Sequence, residues 1–544
     1  MSSIAASAPA RTLSGRWRPA AAVLAGVAVG LSWQPYGLWP LLLVGIPAFT
    51  LLVRRAHPRA AFGLGYLFGL GLLTLAVSWV SVLGWWVALL LIVVEAGFFG
   101  LLGVALSLSS RLRWWPLTAA ACWVLVEFAY SHVPFGGFGW TRLAYAVVDT
   151  PLAGFLPLVG VAGVTFLTVL LAELVAYAIL RTRSPGARRR GLLAVGAALA
   201  LVLVGLAVGP SAAATEEDRE TVQVGIVQGN VPGRGIEALG RMRSVTNNHL
   251  TETLDLTARW RLGQVAEPDF LLWPENSTDI DPLRDPQTFS TVQSAAALSG
   301  KPILVGAVTQ GPGPGERQTT ALWWDPAGRV LDTYHKQNLV PFGEWIPFRD
   351  QLLPLFPILK QVGAQSVAGT EPGLLTVPVG NRTLTVGDII CFELAYDNTV
   401  HEVLTGGAQV LVVQSNNATY GGTGQIEQQF AITRARAIEA QREIAVATTN
   451  SVSGFIDRSG RVVHRTEEFT AASLVVDMPL RSELTPAVRI GRWVDRGLAL
   501  LGLGAVVLGG VAGRRSGARR EKPDATAEVA AFPAPVGSAG RGRS

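Results

Sequence analysis

The stretch Gly387-Asp388-Ile389-Ile390-Cys391-Phe392-Glu393 decides how this chain is read. It is an apolar run that carries one thiol to its far end and sets a carboxylate beside it. Two other stretches have the same form. Phe270-Leu271-Leu272-Trp273-Pro274 presents Glu275, and Val330-Leu331-Asp332-Thr333-Tyr334-His335 presents Lys336. β-Branched and aromatic runs closed by Pro or charge read as buried strands. A lone cysteine usually fills core space, but Asp388 and Glu393 flank Cys391, so the strand stops there and the thiol sits near its exposed end. Glu275 and Lys336 taken singly read as solvated strand-end charges. Taken together, the three are the parts of a thioester-forming acyl-transfer site. The thiolate is the attacking species, and Glu275 as general base takes its proton and returns it to the leaving group. Lys336 stabilises the thiolate and the oxyanion, with the backbone N–H of Phe392 as a second donor.

Around these strands the chain alternates strand and helix. Strands are predicted at 222–228, 269–273, 302–308, 318–324, 329–335, 383–391, 408–414, 443–449, 453–457, 461–464 and 472–478. Asp325-Pro326-Ala327-Gly328 and Arg458-Ser459-Gly460 form hairpin turns between them. Helices are predicted near 240–262, 286–299, 397–405 and 424–441, which together make a layered α/β unit. Residues 341–375 break the pattern: rich in Pro and Gly, yet carrying Trp345, Ile346, Phe348, Leu352, Leu353, Leu355, Phe356 and Leu359. A long loop in a compact unit is functional or disordered, and this apolar content reads as a lid lying on a bilayer.

Composition requires that bilayer. Of 544 residues 49% are hydrophobic and only 15% charged, where a soluble enzyme carries about a quarter charged residues. Apolar spans near the ~20 residues a membrane needs fall at 19–34, 37–53, 61–82, 85–108, 115–131, 157–180, 191–209 and 494–513. The first follows Arg11, Arg16 and Arg18 without a small-residue cleavage site and reads as an uncleaved span. Basic clusters follow spans two, four, six and eight: Arg54, Arg55 and Arg59; Arg111 and Arg113; Arg181, Arg183 and Arg188–Arg190; and Arg514, Arg515, Arg519, Arg520 and Lys522. By the positive-inside rule both termini are cytoplasmic and the α/β segment lies on the other face.

The expected division is a cytoplasmic tail (1–18), seven membrane helices (19–210), a polar linker (211–221), the α/β unit (222–492), an eighth membrane helix (493–513) and a disordered tail (514–544). Glu95, Glu127 and Glu173 lie inside spans, where carboxylates face the bundle interior and either bridge helices or serve function. His132, Trp140 and Arg142 lie in the loop between spans five and six. The net charge of +6 sits at span ends, with no basic stripe and interleaved aromatics, so nucleic acid is not an expected partner. The six His lack ligand spacing and Gly311-Pro312-Gly313-Pro314-Gly315 is a turn sequence, so neither metal nor nucleotide is expected as cofactor. Cys122, in a span, and Cys391 are not expected to pair.

The order Trp273-Pro274-Glu275, His335-Lys336-Gln337-Asn338-Leu339-Val340-Pro341-Phe342-Gly343-Glu344, Ile390-Cys391-Phe392-Glu393 resembles the nitrilase (carbon–nitrogen hydrolase) superfamily with its Glu-Lys-Cys triad. With Val227-Gln228-Gly229-Asn230 and Ser415-Asn416-Asn417 set among eight spans, it resembles more narrowly the apolipoprotein N-acyltransferase family. That resemblance implies a nitrilase-like αββα sandwich inserted before the last helix of an eight-helix bundle. It implies Glu275, Lys336 and Cys391 as catalytic residues, with Glu344, Phe392 and Glu393 supporting them. The implied reaction is ping-pong. A phospholipid acyl donor forms a Cys391 thioester, and the acyl chain passes to the α-amino group of a diacylglyceryl-modified lipoprotein cysteine. Phe392 stands where Tyr is common, Asn417 where Asp is common, and the stretch from Val231 to Gly235 lacks the family's Trp. A membrane-tethered hydrolase that gives the acyl group to water, or a lipoprotein chaperone without chemistry, uses the same framework.

Overall fold

The computed structural model describes residues 15–182, 187–209, 219–231, 233 and 243–520. Most of the expected N-terminal tail, Arg183, residues 211–218 of the linker, Pro232, Arg234, Gly235, residues 240–242 of the first α/β helix and the tail from 521 lie outside the described residues.

The apolar spans fold as helices α1 (Arg18–Gly30), α2 (Leu42–Val53), α3 (Pro58–Ala76), α4 (Trp85–Ser109), α5 (Trp115–Tyr130), α6 (Leu156–Thr182) and α7 (Arg188–Val208). Among the described residues, five helical segments are long and apolar enough to cross a membrane: Pro58–Ala76, Trp85–Ser109, Pro151–Thr182, Arg188–Val208 and Pro486–Arg514. Helices α1, α2 and α5 have 13, 12 and 16 residues. At 1.5 Å per residue they fall short of the ~30 Å hydrocarbon core. A helix stands at each of the eight expected spans, five of them long and three shorter. Tight turns take up the missing length, among them the 3-10 turns Trp39–Leu41 and Ser78–Leu83. Helices α1, α3 and α4 touch backbone to backbone: a Cβ on Gly26 would sit 2.0 Å from Phe68 O, and one on Gly65 2.2 Å from Phe99 O. Small residues give membrane helices this close approach.

The α/β part adds helices α8 (Ser244–Arg261), α9 (Pro286–Ser299), α10 (Arg349–Leu352), α11 (Asp397–Thr405) and α12 (Gly424–Ala440). Its strands are β1 (Thr221–Gln228), β2 (Phe270–Leu272), β3 (Ile303–Gln310), β4 (Glu316–Trp324), β5 (Val330–His335), β6 (Gln365–Ser366) and β7 (Leu374–Val379). The series continues with β8 (Arg382–Ile390), β9 (Val410–Ser415), β10 (Ile444–Thr448), β11 (Gly454–Ile456), β12 (Val462–Arg465) and β13 (Ala472–Pro479). One sheet runs β13-β1-β2-β3-β4-β5 with β6 beside β4; the other runs β12-β11-β10-β9-β8-β7. All eleven predicted strands are present; β6, inside the irregular region, and β7, which begins at its end, are additions.

The sheets face each other through Val222, Val224, Phe270, Leu272 and Trp323 on one side and Leu384, Val386, Ile390, Val410 and Val412 on the other. Helices α8 and α9 cover the first sheet through Leu256, Trp260, Val292 and Ala296. Helices α11 and α12 cover the second, and their buried side chains belong to the same continuous core as the membrane helices. The fold is the expected nitrilase-like αββα sandwich, with one helical layer wedged between sheet and membrane bundle. Helix α13 (Pro486–Arg520) closes the chain. It begins before the expected 494 and continues past 513, because its Ala, Leu and Arg are all strong helix formers.

Candidate active site

Each of the three strand-end residues reaches the same place by a different local device. After β2 the chain turns at Pro274, and the turn carrying Glu275 lies directly on β3. A Cβ on Gly306 would come within 2.2 Å of Pro274 O, so only glycine lets the strand pass there. Ser277 Oγ fastens the turn by donating to Gly306 O at 2.9 Å. Lys336 follows β5, its N–H donating to Thr319 O and its carbonyl accepting from Gly369 N–H, both at 2.9 Å. Cys391 follows β8 and opens the 3-10 turn Cys391–Ala395 with φ +54°. A left-handed cysteine is a strained conformation of the kind that gathers at functional sites. It also brings the N–H of Phe392 to the free N-terminal end of the turn.

The side chains then converge. Lys336 Nζ donates to Glu275 Oε1 at 2.8 Å and lies 3.0 Å from Glu344 Oε2. Glu275 Oε2 accepts the N–H of Asn416 at 2.8 Å, and Glu344 accepts from Val340 N–H at 2.8 Å and Thr319 Oγ1 at 3.0 Å. Glu275 and Lys336 are 4% and 2% exposed, so these charges act without water between them. Burial works against the Lys336 ammonium, yet Glu275, Glu344 and Cys391 hold it well above the usual lysine range. Burial also pushes the Glu275 carboxyl up, with Lys336 opposing and Glu344 adding to the rise. Two carboxylates hold the one ammonium firmly, and its charge offsets only part of the burial that raises Glu275. Burial, then Glu275, push the Cys391 thiol up to about 12, against Lys336 and a hydrogen bond with Ser415. At neutral pH the site therefore holds a thiol beside a carboxylate more basic than usual.

Glu393 has a different task from the one its sequence position suggests. Its oxygens accept from Tyr334 Oη (2.8 and 2.9 Å), Gln337 N–H (2.7 Å), Asn338 N–H (3.1 Å) and Ile390 N–H (2.9 Å). It laces the Cys391 turn to the Lys336 loop. Phe392 is buried, stacked on Trp140 and Phe138 with ring centres 5.9 and 6.0 Å away.

Behind the sulfur, Ser415 and Asn417 of the Ser415-Asn416-Asn417 motif join a chain of α12 side chains that the sequence did not single out. Asn417 Oδ1 is 3.8 Å from Cys391 Sγ and accepts from Ser415 Oγ (3.1 Å) and Gln425 Nε2 (3.3 Å). Gln429 Nε2 donates to Ser415 Oγ at 2.8 Å. Further along α12, Arg436 Nε donates to Leu394 O on the Cys391 turn (2.8 Å), and its NH2 reaches Asp397 at 2.6 Å. Asp397 also takes Arg142 NH1 at 2.8 Å. Burial opposes ionisation of Asp397, but Arg142 and Arg436 hold its carboxyl well below the usual range. A charged bridge thus joins the loop after α5 to the nucleophile turn. Of the buried carboxylates of α5 and α6, Glu127 accepts Leu143 N–H at 2.8 Å in the loop after its own helix, and Glu173 bridges to α2 by accepting Thr50 Oγ1 at 2.5 Å.

The apolar loop after Lys336 packs on aromatic residues of the helical part. Phe342, Trp345 and Phe348 stand edge-on around Phe135, 6.0–6.3 Å away, and Phe356 stacks on Trp86. Phe348 and Leu355, an aromatic and an aliphatic side chain, are each 68% exposed. A cleft of about 350 Å³ opens beneath Phe135, Trp345 and Tyr396, lined also by Gln337 and Asn338. It flanks the Lys336 loop and does not cover the sulfur.

An αββα sandwich that buries a glutamate, a lysine and a strand-end cysteine together, held on a membrane bundle, defines a membrane-bound enzyme of the carbon–nitrogen hydrolase class. Residues 272–483 match the carbon-nitrogen hydrolase family model, and residues 25–174 match the apolipoprotein N-acyltransferase N-terminal domain. The chain belongs to the apolipoprotein N-acyltransferase family. It is 34% identical to the apolipoprotein N-acyltransferase of Mycolicibacterium smegmatis over 90% of this chain and 84% of that one. It is 27% identical to that of Vibrio parahaemolyticus over 88% and 94%. Among solved structures, an amidase of the nitrilase superfamily from Nesterenkonia aligns with TM-score 0.36 and 19% identity, covering 51% of this chain and 97% of that one.

Proposed function

We propose that this enzyme N-acylates lipoproteins by a ping-pong reaction in which Cys391 carries the acyl group. In the first half, Cys391 Sγ attacks an ester carbonyl of a membrane phospholipid as its proton moves to Glu275. Lys336 and the Phe392 N–H take the charge that develops on the carbonyl oxygen. The C–O bond then breaks, Glu275 returns the proton to the glycerol oxygen, and a lysophospholipid leaves. In the second half, the α-amino group of the N-terminal S-diacylglyceryl-cysteine attacks the thioester carbon. Its proton passes through Glu275 to sulfur, yielding the amide and the free thiol. Glu344 shares the Lys336 charge, and Glu393 holds the nucleophile turn.

One observation carries this reading: the Lys336 ammonium sits 2.8 Å from Glu275 and 3.0 Å from Glu344, beside a left-handed Cys391. The exposed apolar loop at 341–363 and the membrane helices support a donor that stays in the bilayer. We assign residues 19–210 and 493–513 to the membrane and 222–492 to its outer face, with both termini cytoplasmic, on the alternation of basic loops. The test is incubation with phospholipid vesicles alone, followed by mass analysis of the Cys391 peptide. A transferase accumulates acyl-Cys391; continuous release of fatty acid without that adduct would mean that water is the acceptor.

A further inference from the structure

Gln428 projects from α12 into the layer between the α/β part and the membrane loops, where it is 3% exposed. All four of its hydrogen-bonding positions are used. Its Oε1 accepts the indole N–H of Trp79 at 2.9 Å and of Trp140 at 2.8 Å. Its Nε2 donates to Gln34 O at 2.8 Å and to Ala76 O at 2.9 Å. The assignment of oxygen and nitrogen is forced, because indoles only donate and carbonyls only accept. One amide therefore fastens the loop after α1, the end of α3 with the turn that follows it, and the loop after α5.

The two tryptophans it holds form a wall at the reacting centre. Trp140 stacks on Phe392, the residue after the nucleophile, with planes 18° apart. Trp79 packs edge-on against Tyr420, 5.2 Å away, and at a tilt of 55° against Trp140, 5.6 Å away. The neighbours of Gln428 on the same helix, Gln425 and Gln429, bond to Asn417 and Ser415 beside the sulfur. Helix α12 thus holds the thiol pocket with one set of amides and the membrane loops with another.

We infer that Gln428 is a positioning residue: it sets the Trp79–Trp140 wall against the Cys391 turn, and so determines where a bilayer-held acyl ester meets the thiol. This rests on Cys391 being the acyl carrier. The experiment compares two reactions of Cys391 in full-length wild type and Gln428→Leu in nanodiscs. One is thioester formation from the nanodisc phospholipid; the other is alkylation by iodoacetamide, a small soluble probe that needs no wall. Each is read by mass of the Cys391 peptide. The expected result is a loss of about tenfold or more in thioester formation, with alkylation within about twofold of wild type. Trp140→Phe removes one of the four bonds while keeping a ring on Phe392, and should show the same split with a smaller loss; it serves if Gln428→Leu does not fold. Parallel losses in both reactions, or no loss in either, would overturn the inference. A wild-type protein that is alkylated but never acylated would instead overturn the role of Cys391.

Discussion

Lys336→Met tests the charge logic of the site most directly. The substitution keeps an unbranched side chain but removes the cation lying 2.8 Å from Glu275 and 3.0 Å from Glu344. Deleting one partner of a buried ion pair costs on the order of 3–5 kcal/mol, because the remaining charge is left desolvated and unpaired. Here two carboxylates are left, and since both touch one nitrogen, their nearest oxygens lie within about 6 Å of each other. They cannot both stay ionised, so the folded variant retains a proton that an unfolded glutamate, with its pKa near 4.3, has released. Folding then loses about 1.4 kcal/mol per pH unit as pH rises from about 4.3 toward the raised folded value. Relative to wild type, Lys336→Met should be least stable at pH 8 and recover toward pH 5. Adding Glu344→Gln removes one of the two charges and should relieve part of the deficit, while neither variant forms acyl-enzyme. The assay is thermal unfolding in nanodiscs across pH 5–8 for wild type, both single variants and the double. A deficit unchanged between pH 5 and pH 8, or a second substitution that deepens it, would refute the shared-charge account.

Cys391→Ala should abolish acylation with little change in stability, and Cys391→Gly should unfold about 1 kcal/mol later, since glycine adopts φ +54° without strain; retained turnover in either would remove the nucleophile. Glu275→Gln should slow thioester formation by about 10²-fold or more, measured in a single turnover, and a normal rate would rule out a base there. Because the thiol is pushed up to about 12, iodoacetamide alkylation of Cys391 should keep rising from pH 7 to pH 10; a plateau near pH 7 would show a thiolate already present at rest. A reporter joined after residue 215 should lie outside the cytoplasm, and a cytoplasmic signal would invert the topology.

What the sequence could and could not reveal follows from the range of the forces involved. Strands such as Phe270–Leu272 and Arg382–Ile390 declare themselves because burial on both faces leaves an apolar run between breakers. Leu374–Val379, with Pro378 inside it, was not among the predicted strands. It forms one because β7 is the edge of its sheet, where a missing N–H costs nothing. The three reactive residues were legible as strand ends, but their company was not. Glu393 bonds to Tyr334, Gln337 and Asn338, more than fifty positions away, and no local pattern encodes that. The polar face of α12 reads in sequence as solvated glutamines, yet Gln425, Gln428 and Gln429 are each 3% exposed. Helices α1 and α2 were expected at 19–34 and 37–53 and are shorter than that, because hydropathy continues through the turns that bound them.

Helix α13 runs without interruption for 35 residues, from beside the α/β sandwich to its basic end. At 1.5 Å per residue that is about 52 Å, well beyond the ~30 Å of hydrocarbon. The sandwich is therefore not a globule swinging on a leash. It is continuous with a helix that packs along α4, α5 and α6, so the thiol keeps one position relative to the helical bundle.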